Sequence, residues 1–121
     1  MEESHRKLNI GTEKYTQVHA VDAPGAGNAN YVYQITTVRV PTAVLGFVKF
    51  QSGPIKESGV NGVMNEDLMA IVIDRLRGFQ SGPFACRENA IALTKLEESI
   101  MWLNSRTAGR ERRGVEGNHK I

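Results

Sequence analysis

Apolar and polar residues alternate along YTQVHAV (Tyr15 to Val21) with a bias to β-branched side chains, which predicts a strand. YVYQITTVRV (Tyr31 to Val40) predicts a second strand, ended by Pro41, and LGFVKF (Leu45 to Phe50) a third. Such short strands with short links favour an antiparallel sheet. DAPGAGNAN (Asp22 to Asn30) and QSGPIKESGVNGV (Gln51 to Val63) are dense in Gly, Pro and Asn and read as loops. Residues 1–14 are polar and without period, and are expected to be flexible.

The period then changes. EDLMAIVIDRLR (Glu66 to Arg77) consists almost wholly of good helix formers, with Asn65 placed to cap its start and Gly78 to end it. Its apolar residues Leu68, Met69, Ile71, Val72, Ile73 and Leu76 surround most of the axis, so burial on more than one side is expected. FQSGP turns the chain. A second helix then runs from about Ala85 to Arg112, with Leu93, Leu96, Ile100 and Leu103 stepping by three and four along one seam. Two helices joined by so short a turn form an antiparallel hairpin. The fold class expected is α+β, a small N-terminal antiparallel β-sheet followed by a long C-terminal helical hairpin. The 121 residues suit a single domain: a flexible 1–14, a β region 15–64, a hairpin 65–114 and a tail 115–121.

Charge sharpens this picture at one place. Residues 1–104 hold ten Lys or Arg against eleven Asp or Glu, whereas residues 105–121 hold five against two. The chain is not basic throughout, as a non-specific duplex binder often is; its positive charge gathers at the end of the last helix. No apolar run reaches the ~18 residues of a membrane span, and the N-terminus has no apolar secretory core. The lone Cys86 forbids an intrachain disulfide and a cysteine zinc site, in keeping with a reducing cytosol.

Catalysis finds little to rest on. His5, His19 and His119 are scattered, with no carboxylate or cysteine at metal-ligand spacing, and no metal site is expected. Adjacent Glu97 and Glu98 point in different directions on a helix and form no acid pair. GAGNAN matches neither a dinucleotide fingerprint nor a P-loop and reads as a turn. Cys86 has no identifiable base and reads as a small packing residue. The arginines are more informative. Arg106, Arg110 and Arg113 fall at i, i+4 and i+7 and share a helical face. A solvated helix end favoured by the dipole is the ordinary explanation; an anion or phosphate site is the sharper one. Phe79 and Phe84 flank the turn, where aromatics most often cap a core but can also stack a base. Asn89 carries the paired donor and acceptor that an adenine edge requires. Asn89 and Arg106 are 17 residues apart on one helix, hence roughly 25 Å. If both serve one nucleotide-sized ligand, the pocket is shared by two chains, as an isologous dimer provides.

The stretch from NEDLMAIVIDRL through FQSGPFACRENAIALTKLEESIMWL to RTAGRERRGVEG resembles the hairpin shared by two groups of phage anti-defence sponges, the first Thoeris anti-defence family and the second anti-CBASS family. The resemblance covers roughly residues 45–118 and rests on FACRENAxALTKLEE with the downstream RTxxRxxRGVEG. The small β region preceding the hairpin is more similar to the Thoeris group. The resemblance implies a non-catalytic, cofactor-free protein that sequesters TIR-generated cyclic ADP-ribose isomers (glycocyclic ADP-ribose) in the cytoplasm of the infected bacterial host. It also implies assembly of dimers into hexamers and, in some members, a separate site for the cyclic di- or trinucleotides of CBASS. By position, Phe79 would stack on adenine, Asn89 would hydrogen-bond it, and Arg106 and Arg110 would hold the ribose-phosphate. Two other classes stay open at this point: a small nucleic-acid-binding phage protein using the basic tail, and an interaction protein with no ligand.

Overall fold

The structure, a computed structural model, describes residues 5–114. It contains four strands, β1 (Arg6–Lys7), β2 (Thr16–Ala20), β3 (Val32–Thr37) and β4 (Val44–Lys49), then α1 (Ile55–Ser58), α2 (Asn65–Gln80) and α3 (Arg87–Arg112). The chain divides into two compact units, one formed by the sheet up to Gly53 with Val60–Val63, the other by Pro54–Gly59 and the chain from Met64 onward.

The sheet is antiparallel throughout, in the order β1-β2-β3-β4. Three of its strands are those the alternation predicts. β1 arises within the segment expected to be flexible, because two residues are too few to show a period. Register places Ala20 opposite Tyr33, Val18 opposite Ile35, and Tyr33 opposite Val48, so these side chains share one face. Tyr33 meets Phe50 edge to face at 5.8 Å on that side, and Ala20 is fully buried. A bulge between Ile35 and Thr36 makes Leu45 the extra residue of β4. The Asp22–Asn30 loop is held by its own polar groups. Asp22 accepts hydrogen bonds from the Asn30 side chain and the Tyr31 N–H, both at 3.0 Å, and Arg6 donates to Asn30 Oδ1 at 2.7 Å. Desolvation pushes the Asp22 carboxyl up, but these donors together outweigh it and hold the group below the ordinary carboxylate range. GAGNAN is thus a closed turn, with Gly27 and Asn28 at positive φ.

The second loop returns to the sheet. Val63 accepts from the Gln51 N–H and donates to the Lys49 carbonyl, both at 2.9 Å, while Asn61 Oδ1 and Nδ2 clasp the Ser52 backbone, both at 2.8 Å. This approach depends on Gly62. A Cβ there would stand 2.4 Å from the Phe50 carbonyl carbon and 2.6 Å from the Gln51 nitrogen. Backbone cannot step aside as a side chain would, so Gly62→Ala is expected to destabilise the protein by about 1–3 kcal/mol. An unchanged denaturant midpoint would contradict that close approach.

In the second unit α3 packs on α2 as the expected hairpin. The seam residues Leu93, Leu96, Ile100 and Leu103 are all partly covered. α2 departs from expectation in three respects. Its cap is Met64, whose N–H donates to Asp67 Oδ2 at 2.9 Å, rather than Asn65. It runs through Gly78 and ends only at Gln80. And of its apolar residues only Ile73 is buried in the protomer, while Ile71 and Val72 are exposed, because one partner helix covers only one stripe. Gly78 therefore serves as an ordinary helical residue, and nothing lies within 4 Å of where its Cβ would stand. Gly78→Ala should stabilise the protein by about 0.5–1 kcal/mol, read as a rise of a few degrees in melting temperature. A fall would contradict the free space at this position. The expectation for the tail 115–121, His119 included, lies outside the described residues. No helix in the described residues is long and apolar enough to cross a membrane.

Candidate functional site

The hairpin tip is built from the last turn of α2, the turn Ser81–Cys86 and the start of α3. α2 stops because Ser81 turns its N–H back to the Arg77 and Gly78 carbonyls and its hydroxyl to Gly78 O at 2.8 Å; Pro83 follows. Gln80 then fastens the crossing. Its Oε1 accepts the Cys86 N–H at 3.0 Å and its Nε2 donates to the Cys86 carbonyl at 3.1 Å. Cys86 is exposed, not packed, so the expectation of a small packing residue is corrected: its backbone holds the turn and its thiol faces out.

Two aromatic rings stand at this tip. Phe79 is partly covered and Phe84 is 71% exposed; their centroids are 6.2 Å apart with planes inclined at 49°. A phenyl ring left in water at a turn forfeits the burial that normally justifies it. Arg75, one turn before Phe79, lays its guanidinium over the Phe79 ring at 5.1 Å from the centroid. Asn89 lies in the first turn of α3, partly covered, on the seam side that faces α2. Phe79 and Asn89 thus belong to one end of one hairpin.

The predicted arginines lie at the other end of α3. The helix is unbroken from Arg87 to Arg112, so the separation of roughly 25 Å between Asn89 and Arg106 is real within a protomer. Arg106 is exposed. Arg110 is not part of a free cationic tip, as its spacing suggested: it is only 7% exposed and already engaged in an interaction of its own. Arg112 and Arg113 face solvent. Among the described residues no three His, Cys, Asp or Glu side chains gather as a metal ion would need.

Arg75 and Gln80 escaped the sequence pattern. Both were hidden by taking Gly78 as the helix end, which puts Phe79 in a loop and breaks its i, i+4 relation to Arg75. A helical reading through Gln80 would have shown that relation.

The profile of the Acb2/Tad1 hairpin domain matches residues 44–108, which include Phe79, Asn89 and Arg106. Thoeris anti-defense 1 of Bacillus phage SBSphiJ7 is 62% identical over 84 residues. That match spans 69% of this chain but only 59% of the relative's length. A profile that takes in β4, α1, α2 and most of α3 covers more than half of the 121 residues, and on that ground the chain belongs to the Acb2/Tad1 hairpin-domain family.

Proposed function

We propose that this chain is a phage anti-defence protein that blocks Thoeris signalling by sequestering TIR-generated cyclic ADP-ribose isomers in the cytoplasm of the infected host. The observation that carries this reading is the division of the ligand groups between the two ends of the hairpin, with Asn89 and Arg106 far apart on one unbroken α3. Phe79 and Asn89 offer a ring face and an amide edge at the tip, suited to a purine. Arg106 offers a charge-assisted donor for phosphate about five turns further on. One chain cannot bring both to a mononucleotide; two α3 helices packed antiparallel can, twice per dimer. Exposed apolar residues on both helices, Ile71 and Val72 on α2 and Ile91, Met101 and Trp102 on α3, are available to pack such copies against one another, first as dimers and then as a hexamer. The name of the relative, Thoeris anti-defense 1, agrees with this reading. Capture of CBASS cyclic di- or trinucleotides at a separate site is the second part of the proposal and rests on family membership alone.

The mechanism is mass action. A tight, abundant binder lowers free messenger below the level its effector needs, with no bond broken. The test is recovery. Glycocyclic ADP-ribose incubated with the protein should vanish from the protein-free filtrate and return with unchanged mass once the protein is denatured by heat. A changed product would mean an enzyme, and no depletion would mean a different ligand. Light scattering on the same sample should find a dimer or larger; a monomer of 13.4 kDa would remove the shared pocket.

A further inference from the structure

Two arginines occupy the second half of α2, and the structure uses them differently. Arg77 sets its Nε and Nη2 against one Glu97 oxygen, at 3.2 and 2.9 Å, tying α2 to α3. Arg75 meets no carboxylate among the described residues and lies instead over the ring of Phe79. Arg75 is exposed, so its contact with the ring is weak, enough to favour one orientation without locking it. A guanidinium carries five N–H donors, and a cation–π contact with one ring leaves most of them unused. An exposed arginine beside an aromatic, with donors to spare, suits a planar or tetrahedral oxyanion.

The geometry points to Arg75 as a phosphate-binding, specificity-determining residue of the Phe79 site. This rests on the reading that Phe79 stacks a base. A base stacked on Phe79 brings its ribose-phosphate within reach of a guanidinium that lies 5.1 Å from the ring centroid. Phe84, its ring centroid 6.2 Å from that of Phe79 and its plane inclined at 49°, adds a second apolar surface beside the site. The tip would then supply base and phosphate contacts from one protomer, before the partner's arginines close from the far side. It would therefore favour phosphorylated adenine compounds over bare nucleosides even in a half-formed pocket.

The test compares wild type, Arg75→Gln, Arg75→Lys, Phe79→Ala and Arg112→Ala, each checked by circular dichroism, for binding of glycocyclic ADP-ribose by calorimetry at several salt concentrations. Arg75→Gln should weaken binding about tenfold and flatten its salt dependence, since one screened ionic contact is gone. Arg75→Lys keeps the charge but loses the fork, and should fall between. Arg112→Ala should match wild type. If Phe79→Ala loses binding while Arg75→Gln stays within twofold, the functional reading stands and the role of Arg75 is wrong. If Arg75→Gln binds more weakly but keeps the wild-type salt dependence, the guanidinium only supports the ring, and the proposal fails. If wild type itself does not bind, the functional reading fails, and the Arg75 proposal falls with it.

Discussion

Phe79→Ala should cost the protein most of its affinity for glycocyclic ADP-ribose and little of its stability. Base stacking on an aromatic is worth roughly 1–3 kcal/mol, so the dissociation constant should rise by about 5- to 150-fold. The structure makes the stability half of this claim specific. Phe79 touches Phe84 and Arg75, both exposed, and it is only partly covered itself. Removal leaves no sealed cavity, the condition under which a core phenylalanine costs 3–5 kcal/mol. The Gln80 clamp on Cys86 and the Arg77–Glu97 pair hold the tip without it. If the variant melts far lower and binds as before, Phe79 is a cap on the hairpin rather than a platform.

The same tip marks where the sequence was legible and where it was not. The period of α3 was readable because 26 residues give a seam many repeats, and the helix starts within two residues of the expected position. β2, β3 and β4 were readable from alternation. β1 was not: it is two residues long, and its segment is fastened by Arg6 donating to Asn30, 24 positions away, which no local pattern reveals. Gly78 shows the complementary failure. Glycine ends helices when it takes positive φ, but here it stays helical and the chain turns at Ser81–Pro83 instead. That one misplaced boundary detached Phe79 from Arg75. Arg110 shows the limit of spacing arguments. Its i, i+4 relation to Arg106 follows from the sequence, but the burial of one and the exposure of the other depend on packing that a helical wheel does not contain.

That difference decides which arginine belongs in the strictest test of the shared pocket. Arg110→Ala removes a buried, already engaged side chain, so loss of binding could follow from loss of structure. Arg106 is exposed, and Arg106→Ala should leave the fold intact while removing a charge-assisted hydrogen bond worth about 1.5–3 kcal/mol. An Asn89→Ala chain and an Arg106→Ala chain, each alone, carry one defect in every pocket and should bind weakly. Co-assembled, they behave differently if each pocket takes Asn89 from one chain and Arg106 from the other. One pocket of the heterodimer then receives both defects and the other receives none. Calorimetry on the purified heterodimer should find wild-type affinity at half the wild-type number of sites. The helix rise forbids the alternative for a rigid ligand of nucleotide size, because Asn89 and Arg106 of one α3 stay roughly 25 Å apart however the protomers are arranged. Wild-type affinity in the Arg106→Ala chain alone would mean that Arg106 takes no part in the pocket of Asn89 and that the phosphate is held at the tip; weak binding at every site of the heterodimer would overturn the sharing of one pocket between two chains.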